Sequence, residues 1–320
     1  MKKIDLIVPC YNTHKTLYRL FGSIMSQNCR DEIHIIMVDD CSDEPYDDMI
    51  KPFQDILDIE IVRLNKNSGP GTARRVGMQA GSSPYIMFID SDDTFFNAFS
   101  VSRLLYEIES RQCDIVYSNF IEDIDNFRFI MHDNDHIWVF AKIFKRQFLE
   151  NYDIYFNDTR SNEDNGFNTL TRCFTEPQYV DETTYIWHYN PKSITRINNG
   201  LYTFTCTEGQ VDNKIWAFKN GYSRGWDRTQ YLKSISGQFC FYYFNYFSVK
   251  NQTREEINVK NYIAWIKKFY NEFHEEIQDA MNKDIFKAEY KQNFITYFND
   301  FNNITILDLT IEEFIDILKE

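Results

Sequence analysis

The chain has 320 residues, 43% of them hydrophobic and 26% charged, enough for one large core or two smaller ones. Its formal net charge of -14 argues against broad, nonspecific binding to nucleic acid or anionic lipid, but leaves room for a local basic groove and an anionic acceptor. Seven scattered cysteines without a C-x-x-C pair suit reduced thiols in a cytosol.

Ile4-Asp5-Leu6-Ile7-Val8 reads as a first strand, ended by Pro9, with Cys10-Tyr11-Asn12 as its loop. The apolar stretch after Met1-Lys2-Lys3 is too short for a signal peptide. No apolar run approaches the ~18–20 residues of a membrane span. A cytoplasmic protein is expected, with peripheral membrane contact left open. Thr13 or Asn12 is expected to cap a helix whose apolar positions Leu17, Leu20, Phe21, Ile24 and Met25 keep helical spacing. Ile33 to Val38 is a second strand, delivering Asp39-Asp40-Cys41-Ser42-Asp43 at its end. Ile50 to Leu57 reads as a helix and Ile59 to Leu64 as a third strand. The turn-rich loop Asn65 to Gly71 precedes a helix from about Thr72 to Ala80. A fourth strand then runs from Tyr85 to Ile89, its apolar run fitting burial on both faces.

Strands alternating with helices are the pattern of a parallel α/β sheet, whose ligands collect at the carboxyl ends of the strands. Tyr11, Asp39-Asp40 and the cluster Asp90-Ser91-Asp92-Asp93 all fall just past strand ends. Three carboxylates so close repel one another unless a cation sits between them. Oxygen-only ligands favour Mg²⁺ or Mn²⁺ over Zn²⁺. Alone, such a cluster reads first as a solvated acidic turn.

Val101, Leu104, Leu105 and Ile108 mark a further helix, and Asp114 to Phe120 a strand. A basic amphipathic helix is expected from about Ala141 to Leu149, carrying Lys142, Lys145 and Arg146. Arg160 to Phe167 opens a helix that continues through Leu170, Tyr179 to Tyr189 is strand-like, and Asn190 to Asn199 is a polar loop. Beyond Leu201 the pattern turns helical and aromatic, with a dense run from Phe239 to Phe247 and further rings at Tyr262, Trp265, Phe269 and Phe273. This change sets an expected boundary between residues 1–200 and 201–320. The aromatic part is either the core of a helical domain, an oligomer interface, or a platform on which an acceptor stacks.

These residues carry a resemblance. Val8-Pro9-Cys10-Tyr11-Asn12, Val38 to Asp43, Asn67 to Arg74, Phe88 to Asp93 and Glu163-Asp164-Asn165-Gly166-Phe167 occur in the order and at the separations of family 2 glycosyltransferases. The chain resembles that family over roughly residues 3 to 200. The resemblance implies the GT-A fold, an α/β mixed and mostly parallel sheet flanked by helices, here with a mainly helical C-terminal extension. It also implies inverting, Mn²⁺- or Mg²⁺-assisted transfer of a sugar from a nucleotide diphosphate to an acceptor hydroxyl.

By the same resemblance Asp92 is a metal ligand, while Asp90 holds ribose hydroxyls or a metal-bound water. Asp93 orients sugar or acceptor. Tyr11, beside Pro9, offers a face for the base. Asp40, or Asp39 in its place, can accept from the N3–H of uracil, which favours UDP over GDP or dTDP. Arg74 matches the family arginine that reaches the nucleotide. Asp164, with Glu163 beside it, is the candidate general base, since inversion needs one carboxylate to take the acceptor's proton. Their alternative role is to favour the helix dipole. Ser193 and Arg196 can close over the diphosphate, and His188 can approach metal or phosphate, or simply pack. Gly69-Pro70-Gly71 is read as a turn and helix start, although it is also similar to a phosphate cradle and to the G-x-G-T-R of sugar nucleotidyltransferases. His132 and His136 have zinc-like spacing without an evident third ligand.

The acceptor is left open among a glycan, a glycolipid, a protein and, for a viral chain in its host's cytoplasm, a hydroxylated DNA base. The other classes in play are a sugar-phosphate nucleotidyltransferase and a nucleotide-sugar-binding protein without turnover.

Overall fold

In the N-terminal sheet β1 (Ile4–Cys10) is central, and its Ile4, Leu6, Ile7 and Val8 are fully buried because strands pair with it on both sides. The structure, a computed structural model, describes residues 2–125, 128–135, 137–193, 204, 206–250, 258–300 and 307–320, with the side chains of 297–300 excepted. Parallel to β1 lie β2 (Ile33–Asp39) on one side and β4 (Tyr85–Phe88) on the other, with β3 (Ile59–Arg63) beyond β2. Past β4 the sheet reverses through antiparallel β8 (Lys142–Lys145) and β6 (Ile115–Asp123). It continues through β9 (Gln178–Trp187), parallel to β6, to β5 (Thr94–Phe95). β7 (Phe129–His132) forms a hairpin with β6 to one side of this path. The sheet is mixed, and its long ladders are the parallel ones.

Helices α1 (His14–Met25), α2 (Asp47–Ile50), α3 (Pro70–Ala80), α4 (Ser100–Arg111), α5 (Arg146–Asn151) and α6 (Glu163–Arg172) belong to the same unit, Met1–Ser193. α1 buries Leu17, Leu20, Phe21 and Ile24, the face its spacing predicts. α3 lies close over β1, since a Cβ on Gly77 would stand 2.5 Å from Ile7 Cγ2.

Three local expectations are corrected. No side chain caps α1: Thr13 instead directs its amide to the Tyr46 hydroxyl at 3.0 Å, and Asn12 exchanges bonds with Asp43. Ile50 to Leu57 is not one helix; α2 ends at Ile50 and a 3-10 turn covers Lys51–Phe53, because Pro52 lacks an N–H and constrains its predecessor. Nor is Ala141 to Leu149 a basic helix. Lys142 to Lys145 form β8 between β4 and β6, and only from Arg146 does a helix begin. Burial of Ile143 and Phe144 between those strands overrides the local pattern. Arg146 turns inward and donates to Asp5, Ser83 O and Met78 O, stapling the amino ends of the strands.

The second unit, Ile194–Glu320, consists in its described part of α7 (Thr207–Ser223), α8 (Arg228–Lys250), α9 (Val259–Met281), α10 (Ile285–Asp300) and α11 (Ile311–Lys319). The aromatic run lies inside it. Phe239, Tyr242, Tyr243, Phe244 and Phe247 are buried against Tyr262, Phe269 and Phe273 of α9 and Phe314 of α11. Thr310 and Glu313 close a reciprocal cap at the start of α11. Among the described residues no helix is long and apolar enough to cross a membrane. All seven cysteines are free.

Candidate functional site

The carboxyl ends of β1, β2 and β4 bring their loops to one edge. Tyr11 stands 48% exposed there, its ring open to a stacking partner, just past the half-buried Pro9. Asp39 and Asp40 are buried, and both already hold protein groups. Asp39 accepts from Ser42 N at 2.8 Å and pairs with Arg63. Asp40 accepts from Ser68 N and Gly69 N, each at 2.7 Å. The loop before α3 therefore turns its amides onto Asp40, in agreement with a turn rather than a phosphate cradle. Gly69, at φ 89, takes a conformation that favours glycine.

The β4 end carries the acidic cluster. Asp93 is fully buried and accepts from Tyr185 Oη at 2.6 Å and His188 N at 2.8 Å. Burial, and then repulsion from Asp92 and Asp90, pushes its carboxyl well above the usual range. Asp92 accepts from Asn190 Nδ2 at 2.7 Å, and Arg19 donates to its carbonyl. Burial and the neighbouring Asp90 raise the Asp92 carboxyl too. His188 faces Thr94 Oγ1 with Nε2 at 2.8 Å, and burial followed by Arg19 lowers its pKa to about 4, so the ring is neutral at pH 7.

The start of α6 is joined to this cluster through Arg74. The guanidinium is buried over the Phe156 ring and donates Nη2 to Asp90 at 2.7 Å and Nη1 to Glu163 at 2.6 Å. Burial opposes its charge, but Asp90 and Glu163 hold it charged above the ordinary range. One arginine thus ties the end of β4 to the start of α6. Both terminal nitrogens take part in those pairs, so Arg74 meets carboxylates of its own chain. Glu163 is its counter-ion.

Asp164 follows, half-buried, with one oxygen capping the Asn165 amide at 2.7 Å. Burial, and then Glu163, raises its pKa to about 7, against the pull of Arg74. A carboxylate poised there matches the requirement of a general base at neutral pH. Lys142 lies buried in the same neighbourhood, donates to the Trp138 carbonyl, and has its pKa lowered to about 7 by burial. It carried no motif, and its burial is visible only once β8 is paired on both sides. The partners Asn190, Tyr185, Thr94 and Arg19 were likewise invisible in the sequence, being ordinary residues whose positions matter only in space.

Gly71 packs its backbone against this bridge. A Cβ there would lie 2.9 Å from Asn157 O and 3.0 Å from Glu163 Cβ. Gly71→Ala is expected to destabilise the protein, because the clash with a backbone carbonyl costs about 1–3 kcal/mol. The gain in helix propensity is at most about 1 kcal/mol. A thermal melt that is unchanged or raised would show that the loop relaxes freely.

Ser193 ends the unit with its amide on Asn190 O at 3.0 Å. Arg196 and His136 lie outside the described residues. His132 bonds Glu122 at 2.8 Å and stacks on Phe120, a packed histidine of the hairpin. Among the described residues no group of three or more His, Cys, Asp or Glu side chains is arranged to hold a metal ion. Asp92, raised by burial and then by its acidic neighbour and bonded on Oδ2 to a neutral amide, fits as a single carboxylate anchor for a hard cation. Mg²⁺ is commonly held that way, by one or two carboxylates plus substrate phosphates and water.

Residues 5–162 match the family model of glycosyl transferase family 2. The uncharacterized glycosyltransferase EpsJ of Bacillus subtilis (strain 168) is 28% identical over 222 residues, covering 61% of this chain and 63% of that protein. The poly(ribitol-phosphate) beta-N-acetylglucosaminyltransferase TarS of Staphylococcus aureus (strain Mu50 / ATCC 700699) is 26% identical over 183 residues, covering 52% of this chain and 32% of that one. The chain thus spans less than two thirds of the length of these two relatives. The crystal structure of S. aureus TarS 1-349 in complex with UDP-GlcNAc superposes with a TM-score of 0.71 at 19% identity, over 97% of this chain and 94% of that one. This is a likeness of fold, and the fold is GT-A. With the motifs at the strand ends falling inside the matched residues or directly after them, residues 5–162 belong to glycosyl transferase family 2.

Proposed function

We propose that the N-terminal unit is an inverting glycosyltransferase that moves a sugar from a nucleotide diphosphate, UDP foremost, to an acceptor hydroxyl. The observation that carries this reading is the Asp90–Arg74–Glu163 bridge, which ties the acidic strand end to a half-buried Asp164 whose pKa is raised to about 7. In the reaction the acceptor oxygen attacks the anomeric carbon as the bond to the diphosphate breaks. The hydroxyl proton passes to Asp164, and the nucleoside diphosphate departs with the bonding pair. A single base without a second carboxylate nucleophile gives inversion.

Tyr11, next to Pro9, stacks on the base. Asp39 and Asp40 offer their remaining lone pairs to its edge, and Asp90 takes the ribose. Ser193 approaches the diphosphate, while neutral His188 keeps the ring nitrogen not facing Thr94 for phosphate or metal. Mn²⁺ or Mg²⁺ held at Asp92 would supply Lewis-acid stabilisation of the leaving diphosphate. UDP is favoured because the fold relative TarS was crystallised with UDP-GlcNAc and with UDP.

The test is nucleotide release from UDP-, GDP- and dTDP-sugars, each with Mn²⁺, Mg²⁺ or EDTA. Metal-dependent release from one donor is expected. Silence across the panel, with no UDP binding by calorimetry, would sink the reading.

A further inference from the structure

Beside the base lies a loop built more rigidly than a surface connection requires. Asn168, one turn after Asp164 on α6, donates Nδ2 to Ile137 O at 2.6 Å. Lys142 donates to Trp138 O. Ser118 N donates to Ala141 O at 3.1 Å, and Ala141, buried and not a glycine, is held at φ 54. Such a conformation is unfavourable for a residue with a Cβ and persists only where its surroundings over-determine it. Upstream, Asn134 is tied by its amide to Asn119 Oδ1 at 3.2 Å.

The loop sets Trp138 against Trp187, with ring centroids 4.7 Å apart. Trp138 also stacks with Phe140, which stacks face to face at 4.3 Å on Tyr185, the residue that bonds Asp93. Both indoles are only half-buried, and the neighbouring Ile137 is 52% exposed. Among the described residues the Trp138 indole N–H has no hydrogen-bond partner. The pair thus stands between Asp93, through His188 at the end of β9, and the helix that carries Asp164.

We propose that Trp138 and Trp187 form the acceptor subsite, and that it takes a neutral pyranose ring. This assignment rests on the glycosyltransferase reading. An indole face packs on the C–H face of a sugar ring, and the free N–H can donate to a ring hydroxyl. Holding the platform rigid in advance lowers the ordering cost of binding. The charges alongside decide against an anionic acceptor. Asp123 and the His132-paired Glu122 and Asp135 line the hairpin next to the pair, while of the nearby cations Lys142 is buried with its ammonium on a carbonyl and Arg19 is turned to the Asp92 carbonyl. A phosphate-bearing polymer or a nucleic acid would meet those carboxylates.

The test uses the full chain labelled with 5-fluorotryptophan and followed by fluorine NMR, with Trp138 assigned from Trp138→Phe. Methyl β-glucopyranoside and methyl N-acetyl-β-glucosaminide are expected to shift the Trp138 and Trp187 signals saturably, and to leave Trp216, Trp226 and Trp265 unmoved. Glycerol 3-phosphate is expected to shift none. In turnover, Trp138→Ala should raise the KM for the glycoside roughly tenfold with a much smaller change in kcat, and Trp138→Tyr should recover part of the loss. No shift with either glycoside, shifts with the phosphate instead, or an unchanged glycoside KM in Trp138→Ala would overturn the subsite. Loss of donor hydrolysis in the wild-type protein would instead strike the glycosyltransferase reading, and the fluorine signals would still report on the subsite.

Discussion

Asp164→Asn is expected to lower glycosyl transfer by about a hundred- to ten-thousandfold while leaving nucleotide-sugar binding unchanged. The amide keeps the size of the carboxylate but accepts no proton. The pH dependence of the wild-type enzyme should carry the same signature. The active base is ionised, and its pKa of about 7 is raised by burial and by Glu163. The rate at saturating donor should therefore fall about tenfold per pH unit below pH 7 and level off above it. His188, with a pKa of about 4, stays neutral through this window and adds no second limb. Initial rates across the neutral range, with donor affinity measured separately by calorimetry, check both statements. A flat profile together with an active Asp164→Asn variant would remove Asp164 from the role.

Arg74→Met should be among the most destabilising substitutions in the chain. It leaves Asp90 and Glu163 without their shared counter-ion, and breaking a buried pair by removing one partner costs about 3–5 kcal/mol. The Asp90 side chain is 32% exposed, so water relieves part of that cost and the lower end is expected. The double variant Arg74→Met/Glu163→Gln should recover part of the loss, because the stranded buried charge is then gone. Denaturant unfolding of the two variants and the wild type measures both terms. Additive losses would mean that Arg74 and Glu163 do not act as a pair. Arg74→Lys should fall short as well, since one ammonium lacks the planar fork that reaches two carboxylates on different elements.

Much of the site was legible along the chain because its signals are local. A strand that runs into carboxylates, as at Ile89-Asp90, or into a tyrosine loop, as at Cys10-Tyr11, shows itself by an abrupt change from apolar to polar residues. In a parallel sheet such ends must share one edge. The Glu163-Asp164 pair opens a helix, where carboxylates are favoured, and that too is a local signal. The second unit's aromatic run was legible as helical, and its neighbours decided that the rings form a core.

The partners of these side chains were not legible. Arg74 suggested a nucleotide contact by its place in a motif, yet its forked donors meet Asp90 and Glu163, residues 16 and 89 positions away. Asp40 suggested a base contact, and its two oxygens hold the loop before α3. Lys142 read as the face of a basic helix and lies in a strand with its ammonium buried. In each case a charged side chain had several partners within reach, and only chain packing decided which one it met. Sequence by itself determined the order of the strands from β1 to β4 and the chemistry at their ends, because backbone preference and burial pattern act over a few residues. Tertiary structure alone decided which carboxylates share the Arg74 guanidinium, which are left with a raised pKa, and which aromatic rings remain half-exposed, because charge pairing and burial depend on distances that the linear order does not set.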